Sequence, residues 1–427
     1  MPSCLIISYG YPPSSSPAAV RMSRLVRGLG ERGWTPAVLT VGKAAMVRSR
    51  GLDDPLAGEP DRVLRYDDPL AAVAANASEN TADSRRKGLG GMLKAFAKGL
   101  LFPDRTVLWA MRLRAAHSEP LVAKAQVILS TSPSLASHIA AYRIARKTGA
   151  AWVAEFRDPV SWLPEKDETG PVRRRLLARL ERWIVGRADA TVTMSDTFTE
   201  YFKGLYPDAE IRAVPNGSDF DPDAIQAKMK AREARLAAAD PDTPLILLHA
   251  GALYGGAREP GPIIQAAKKA ALQTTRPIRL KFIGSDSYLA AEEASRLDAT
   301  DIVEAVPALD HAATVRETEQ ADAVLAMLHR DPVGRVSIMS KFFDYIATGT
   351  PILVVGERCA TLSKIVEQEG AGAAREYDDV EGMTQWIVRL EREPQTMSYD
   401  AVAASGNWSA DRMAERMSLV FQHVLGR

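Results

Sequence analysis

Cysteine is almost missing from this chain of 427 residues: Cys4 and Cys359 are the whole complement. Two thiols so far apart in sequence provide neither a disulfide framework nor a cysteine-based zinc site, and they fit a reducing compartment such as the cytoplasm. Long apolar runs are missing too. No window approaches the roughly 18 unbroken apolar residues of a spanning helix, and the opening "MPSCLIISYGYPP" lacks the basic flank and long apolar run of a signal peptide. The sequence predicts a protein that is cytoplasmic, or held peripherally at the inner face of the plasma membrane.

Other absences narrow the chemistry. His117, His138, His249, His311, His329 and His423 are scattered without paired spacing, so no histidine metal centre is expected. Asp-Pro-Asp occurs at 221–223 and 240–242, in a polar connection rather than after an apolar strand. The G-x-G-x-x-G fingerprint, the G-x-x-x-x-G-K-[ST] loop and the G-x-S-x-G elbow are all absent. That argues against a dinucleotide oxidoreductase, a P-loop ATPase and a serine hydrolase. Nucleic-acid binding calls for a basic domain with interleaved aromatics. The basic stretch "RRRLLARLERW" from Arg173 instead carries a stripe of Leu176, Leu177, Leu180 and Ile184, which reads as a helix with one buried face.

What is present describes a globular α/β protein of two units. Apolar residues make up 46% and charged residues 25%, an ordinary soluble composition, and the length exceeds what one core holds. The chain opens with the strand pattern "CLIIS". A helix follows, with Ala19, Met22, Leu25, Val26 and Leu29 at helical spacing before Gly33, and then "TPAVLTV" supplies a second strand. The alternation continues through "AQVILSTS", "AAWVAEFRD" and "ATVTMS", each leading into a helix, and restarts at "PLILLHAGALYGG", "IRLKFIGS", "IVEAVPAL", "ADAVLAML" and "TPILVVG". Repeated βα units imply two Rossmann-like, doubly wound parallel sheets, one per domain.

The break falls in "PNGSDFDPDAIQAKMKAREARLAAADPDTP", whose ends are rich in Asp, Pro and Gly and whose middle reads as a charged helix. We place the first domain at 1–220, rejoined by a closing helix over 409–427, and the second at 221–408. Residues 1–220 hold 31 basic and 23 acidic residues, net +8, and the remainder 23 and 30, net −7. The basic front half could meet an anionic partner. Residues 76–90 read as a polar loop. The segment 91–114 sets Leu93, Phe96, Leu100 and Leu101 against Lys94 and Lys98, a pattern open to a core-facing helix or to one lying on an anionic membrane.

Parallel sheets bind ligands at the carboxyl ends of their strands. There the sequence places helix starts near Ser14–Ala19 and Pro260, flexible Gly251, Gly255 and Gly256, and the cations Arg258 and Lys341. Backbone N–H groups, a positive helix end and a fixed guanidinium together suit a diphosphate.

Taken in order, "SYGYPPSSSPAAVRMSRLVRGLGERGW", "FPDRTVLWA", "STSPSLASHIAA", "AEFRDPVSW", "VPNGSDFD", "LLHAGALYGGAREPGPII" and "SKFFDYIATGTPILVVG" resemble the large retaining family of GT-B glycosyltransferases that builds bacterial polysaccharides and lipid-linked glycans. The resemblance implies two Rossmann-like domains facing across a cleft, a nucleoside-diphosphate sugar as donor, and a glycan or lipid-linked acceptor. It implies transfer with retention, and neither cofactor nor metal. By the same resemblance Asp344 holds the donor ribose, and Arg258 and Lys341 face the diphosphate. Ser15, Ser16, Gly255, Gly256 and Ser340 belong to the donor site, and the backbone at Val306–Ala308, around Pro307, frames the nucleobase. The strand ends of the first domain take the acceptor, with Asp158, beside Arg157, and His138 as candidates for orienting it; for Asp158 a turn or cap formed by Asp-Pro is the alternative. Three departures stand out: Val336 replaces the first of two acids eight positions apart, Ser15 and Ser16 replace a glycine pair, and the usual Arg/Lys phosphate grip is reduced to Arg258 with Lys341. A nucleotide-sugar epimerase of the same fold and a catalytically silent partner subunit are the other readings.

Overall fold

The computed structural model describes residues 1–14, 16–43, 52–70, 101–160 and 170–426. The chain forms two compact units, residues 1–217 with 410–427, and residues 218–409.

The first unit is a seven-stranded sheet built from β1 (Ser3–Ile7), β2 (Thr35–Val41), β3 (Val63–Tyr66), β4 (Val127–Thr131), β5 (Ala151–Phe156), β6 (Ala190–Thr193) and β7 (Ile211–Ala213). Their order is β3-β2-β1-β4-β5-β6-β7, every pair parallel. The central strands read as unbroken apolar runs because helices cover both faces; Leu5, Ile6, Val38, Leu129 and Val153 are fully buried. Helix Pro17–Glu31 starts where the Ser16 hydroxyl accepts from the Ala19 N–H. Helix Leu135–Thr148 starts the same way at Ser134 and stops at Gly149, whose φ of 77° suits a residue without Cβ.

The closing helix, Ala410–Val424, belongs to this unit and lies along helix Pro17–Glu31. The approach is so close that a Cβ on Gly28 would stand 2.5 Å from that of Ala414. The Trp34 indole donates to Ser418 at 2.9 Å, and Arg32 pairs with Asp411 at 2.6 Å.

In the second unit β8 (Leu245–Ala250), β9 (Ile278–Ile283), β10 (Val303–Val306), β11 (Ala323–Met327), β12 (Ile352–Val355) and β13 (Gly372–Arg375) form a parallel sheet in the order β10-β9-β8-β11-β12-β13. The charged helix expected at the junction is Pro222–Ala237, capped by Asp221. Ser218 and Ser409 form an isolated bridge, and the Ser218 N–H donates to Trp408 at 2.9 Å, so the unit is tied at its own two ends.

The sequence reading missed edge strands β3, β7 and β13, of 4, 3 and 4 residues. It also missed helices Thr361–Gln368 and Val380–Arg392. The helix ahead of "TPILVVG" spans Phe342–Ile346. The loop at 76–90 and the basic stretch through 100 lie outside the described residues. Beyond it, Val107–Arg112 is helical with Trp109 fully buried, so this part of 91–114 faces the core. No helix among the described residues is long and apolar enough to cross a membrane.

Candidate functional site

Strand order reverses between β8 and β11 in the second unit, and the loops leaving such a switch point diverge to leave a crevice. The loop after β8 is strained. Tyr254, Gly255 and Gly256 have φ of 53°, 61° and 93°, three successive residues in the left-handed region, with a bulky tyrosine first. Asp286, after β9, holds this loop by accepting from the Leu253 N–H at 2.7 Å and the Gly255 N–H at 3.3 Å. The two strand ends run so close that a Cβ on Gly284 would sit 2.2 Å from the Gly251 carbonyl oxygen.

The loop carries Arg258 back over the strand ends. Its guanidinium donates to the Ala252 carbonyl at 3.1 Å and lies 4.7 Å from the centre of the Tyr254 ring, while its Nε is buried without a partner. Burial lowers its pKa, against the opposing influence of Tyr254, Tyr377, Tyr345 and Asp286. Lys341, immediately before the short helix Phe342–Ile346, is within electrostatic reach of Arg258: burial lowers its pKa, Asp344 opposes, and Arg258 adds to the fall. Among the described residues neither cation forms an ion pair with a carboxylate. Two half-buried positive charges met by carboxylates only through space are costly, and an anion bound to them would lower the cost.

His249, at the end of β8, lies beneath. Its Nδ1–H donates to the Leu325 carbonyl at 3.1 Å, which leaves Nε2 as an acceptor, buried and unpartnered. Burial and then the nearby Arg258 push its pKa down to about 4, so the ring is neutral at pH 7. A Cβ on Gly251 would stand 3.6 Å from this Nε2 and from an Arg258 terminal nitrogen, in ordinary contact with both. Tyr345 bonds the Ala250 backbone at 3.3 Å, and Tyr377 donates to Leu328 at 2.6 Å. Opposite, the Tyr254 and His329 rings are 4.8 Å apart and Arg330 pairs with Glu259 at 2.9 Å, joining the loop to the end of β11.

Asp344 is half-buried on Phe342–Ile346, within electrostatic reach of Lys341 and Tyr345. Ser340 and Pro307 are exposed, Pro307 directly after β10. Val336 is buried, 3% exposed. The structure thus gathers Arg258, Lys341, Asp344 and the Gly255–Gly256 turn of the sequence reading at one switch point. Sequence reasoning passed over His249, Asp286, Tyr345 and Tyr377. For His249 the signal was a polar residue closing the apolar run "LILLHA" ahead of a glycine turn.

In the first unit the reversal lies between β1 and β4, and a cavity of about 580 Å³ opens there. It is bounded by Ser8–Gly10 after β1, Ser132–Ser134 after β4, Arg157 after β5, and Ser16 at the start of Pro17–Glu31. Ser16 spends its hydroxyl capping that helix; Ser15 lies outside the described residues. Asp158 is exposed beside Arg157. His138 does not reach the cavity. It is 0% exposed, bonds Ser130 at 2.8 Å and stacks on Phe156 at 5.0 Å, and burial pushes its pKa down to about 3. As a neutral interior group it cannot orient an acceptor; helical spacing alone had not separated the buried from the open side of Leu135–Thr148.

Behind the cavity Arg21 and Glu155 form a buried pair at 2.7 Å. Arg21 also donates to Val214, Pro215 and Asn216, and Thr131 donates to the other Glu155 oxygen at 2.6 Å. Among the described residues no cluster of three His, Cys, Asp or Glu side chains could hold a metal ion.

Residues 18–217 match the model of the glycosyl transferase 4-like domain. The first unit is thus similar to a glycosyl transferase 4-like domain, and the whole chain has the two-sheet GT-B fold. Among solved structures, this GT-B chain is similar to sucrose-phosphate synthase from Thermosynechococcus elongatus, with 14% identity, all of both chains covered and a TM-score of 0.63. It is also similar to a glycosyltransferase from Rickettsia africae, with 13% identity over 99% of this chain and 98% of that one and a TM-score of 0.59. HepE from Anabaena, solved with UDP and glucose, has 12% identity over 99% and 100% and a TM-score of 0.57. No curated protein matches the sequence.

Proposed function

We propose that this GT-B protein transfers a sugar from a nucleoside-diphosphate sugar to an acceptor hydroxyl, with retention at the anomeric carbon. The second unit takes the donor and the cavity of the first takes the acceptor. The observation that carries the reading is the pair Arg258 and Lys341, two desolvated cations at the switch point of the second unit that form no ion pair among the described residues.

Breaking the bond between the anomeric carbon and the diphosphate leaves negative charge on the phosphate oxygens. Preorganised cations stabilise that charge more in the transition state than in the bound donor, because it develops only as the bond breaks. Arg258 supplies a planar fork of donors already held by the Ala252 carbonyl and the Tyr254 ring, and Lys341 supplies a point charge. The acceptor oxygen bonds to the anomeric carbon on the face the diphosphate leaves, and the acceptor's proton passes to the departing phosphate oxygen. Asp344 holds the ribose hydroxyls, with Ser340 and the Gly255–Gly256 turn beside the diphosphate and the backbone around Pro307 against the base. The reading routes no step through a metal or cofactor. A glycan or lipid-linked saccharide is the acceptor class, reached in the cytoplasm or at the inner membrane face.

Because HepE was solved with UDP and glucose, UDP is the first nucleotide to test. Arg258→Ala should lower the transfer rate by about 10²–10³, the effect of removing one donor from an anion-stabilising site, while UDP binding falls and the unfolding midpoint stays near that of the parent. Full turnover in this variant would refute the assignment.

A further inference from the structure

The cavity of the first unit is lined by two cations, Arg105 and Arg157, and one carboxylate, Asp104. Asp104 is already committed. It accepts from the Thr106 N–H at 2.8 Å, from the Ala136 N–H at 3.2 Å and from the Thr106 hydroxyl, which turns its oxygens towards the start of helix Leu135–Thr148. Arg157 is not committed. Its backbone N–H donates to Ser132 at 2.8 Å, but among the described residues its side chain forms no ion pair and its buried Nε has no partner.

The neighbouring acids do not supply one. Glu155 is in range, yet one of its oxygens is taken by Arg21 and the other by Thr131. Asp158 next door attracts Arg157 through space but forms no ion pair with it among the described residues. Arg21 and Glu155 answer each other, and Arg157 is the member that lines the cavity, met by Glu155 and Asp158 only through space. Desolvating a guanidinium without a partner is unfavourable, and a ligand anion relieves it.

We infer that this cavity binds an anionic group, a phosphate or a phosphate-bearing headgroup, through Arg157 with Arg105 at its rim. This rests on the reading of the first unit as the acceptor side and deepens it: the acceptor carries a phosphate as well as the hydroxyl that receives the sugar. The cavity volume of about 580 Å³ is in the ordinary range for a small-molecule site.

The test uses full-length protein saturated with UDP, so that the second unit is already occupied, and titrates inorganic phosphate at constant ionic strength while following the unfolding temperature. Added phosphate should raise it further, and Arg157→Gln should weaken that binding at least tenfold, with Arg157→Lys in between. Arg258→Gln should do the reverse, losing the UDP response and keeping the phosphate response. UDP stabilisation with no further response to phosphate, or equal phosphate binding by parent and Arg157→Gln, overturns the anion site and leaves the donor reading standing. If Arg157→Gln does not fold, Arg157→Lys carries the comparison, and parent-like phosphate binding by it together with Arg105→Gln overturns the site. Glycerol 3-phosphate and vesicles containing phosphatidylglycerol then separate the sources: Arg157-dependent binding of the first alone indicates a soluble phosphate ester, and Arg157-dependent flotation indicates a lipid-borne one.

Discussion

Arg21 and Arg258 occupy comparable places, each beside the switch point of its own sheet, and they differ in what surrounds them. Arg21 is 3% exposed and fully answered: a carboxylate, two backbone carbonyls and an amide oxygen accept from it, and Glu155 is completed by Thr131. Arg258 has one backbone carbonyl and an aromatic face, and a second cation stands nearby. The first arrangement is closed, tying the end of β5 to the chain at 214–216. The second is open: Arg258 forms no ion pair among the described residues, and Asp286 reaches it only through space. A charge whose partners are all internal belongs to the fold, and one left short of partners points to a ligand.

Separating the effects of these arginines is the sharpest trial of that contrast. Glu155→Ala leaves Arg21 buried and unpaired, and should cost about 3–5 kcal/mol of stability in denaturant titrations. The double variant Arg21→Met/Glu155→Leu should recover most of that loss, because replacing both members of a buried pair by apolar groups is often neutral. Arg258→Ala should reverse the pattern, with a loss of about 10²–10³ in rate and little change in denaturant midpoint. If it proves as destabilising as Glu155→Ala, the contrast fails.

A smaller effect distinguishes the two units by pH. His138 and His249 have pKa values pushed down to about 3 and about 4. Both are neutral in the fold while the unfolded side chains take up protons below about 6.5. Their contribution is thus fully present above about pH 6.5 and is lost as pH falls towards 4, with a slope of up to about 1.4 kcal/mol per pH unit for each group. UDP binding should steepen nothing in this window if His138 belongs to the core of the first unit. His249→Gln should remove one proton from the slope and also alter UDP affinity, whereas His138→Gln should change the slope alone. The smallest effect is expected at the closing helix: Trp34→Phe deletes the indole bond to Ser418 and should cost about 1 kcal/mol by thermal or chemical unfolding.

The long buried strands were legible because a parallel sheet covered on both faces needs unbroken apolar runs, as in "LILLHA" and "ILVV". Edge strands give no such signal. β13 reads Gly-Ala-Ala-Arg and is fixed by the approach of Gly372 to Ile352, where a Cβ would stand 1.8 Å from a carbonyl oxygen. Helix Val380–Arg392 was legible from its spacing, since Met383, Trp386, Ile387 and Leu390 are all buried, but it was not read.

At the candidate site, Arg258 and Lys341 were recognisable as cations near helix starts. Their mutual proximity was not, because it depends on Asp286 folding the glycine loop back across β8. The partnering of Arg21 with Glu155, 134 residues apart, has no local trace at all. His138 shows the converse error: a histidine near a strand end looks reactive until the stacking on Phe156 and the bond to Ser130 place it inside.

The return of Ala410–Val424 to the first unit makes the second an uninterrupted insertion inside a discontinuous host. Its borders are already stapled together by Ser218 and Trp408, so a fragment starting at 218 and stopping at 409 is a natural excision. A gene cut at 217 would instead deprive the host of the helix against which Gly28 and Trp34 nestle, and should give an insoluble product unless a short linker restores residues 410–427.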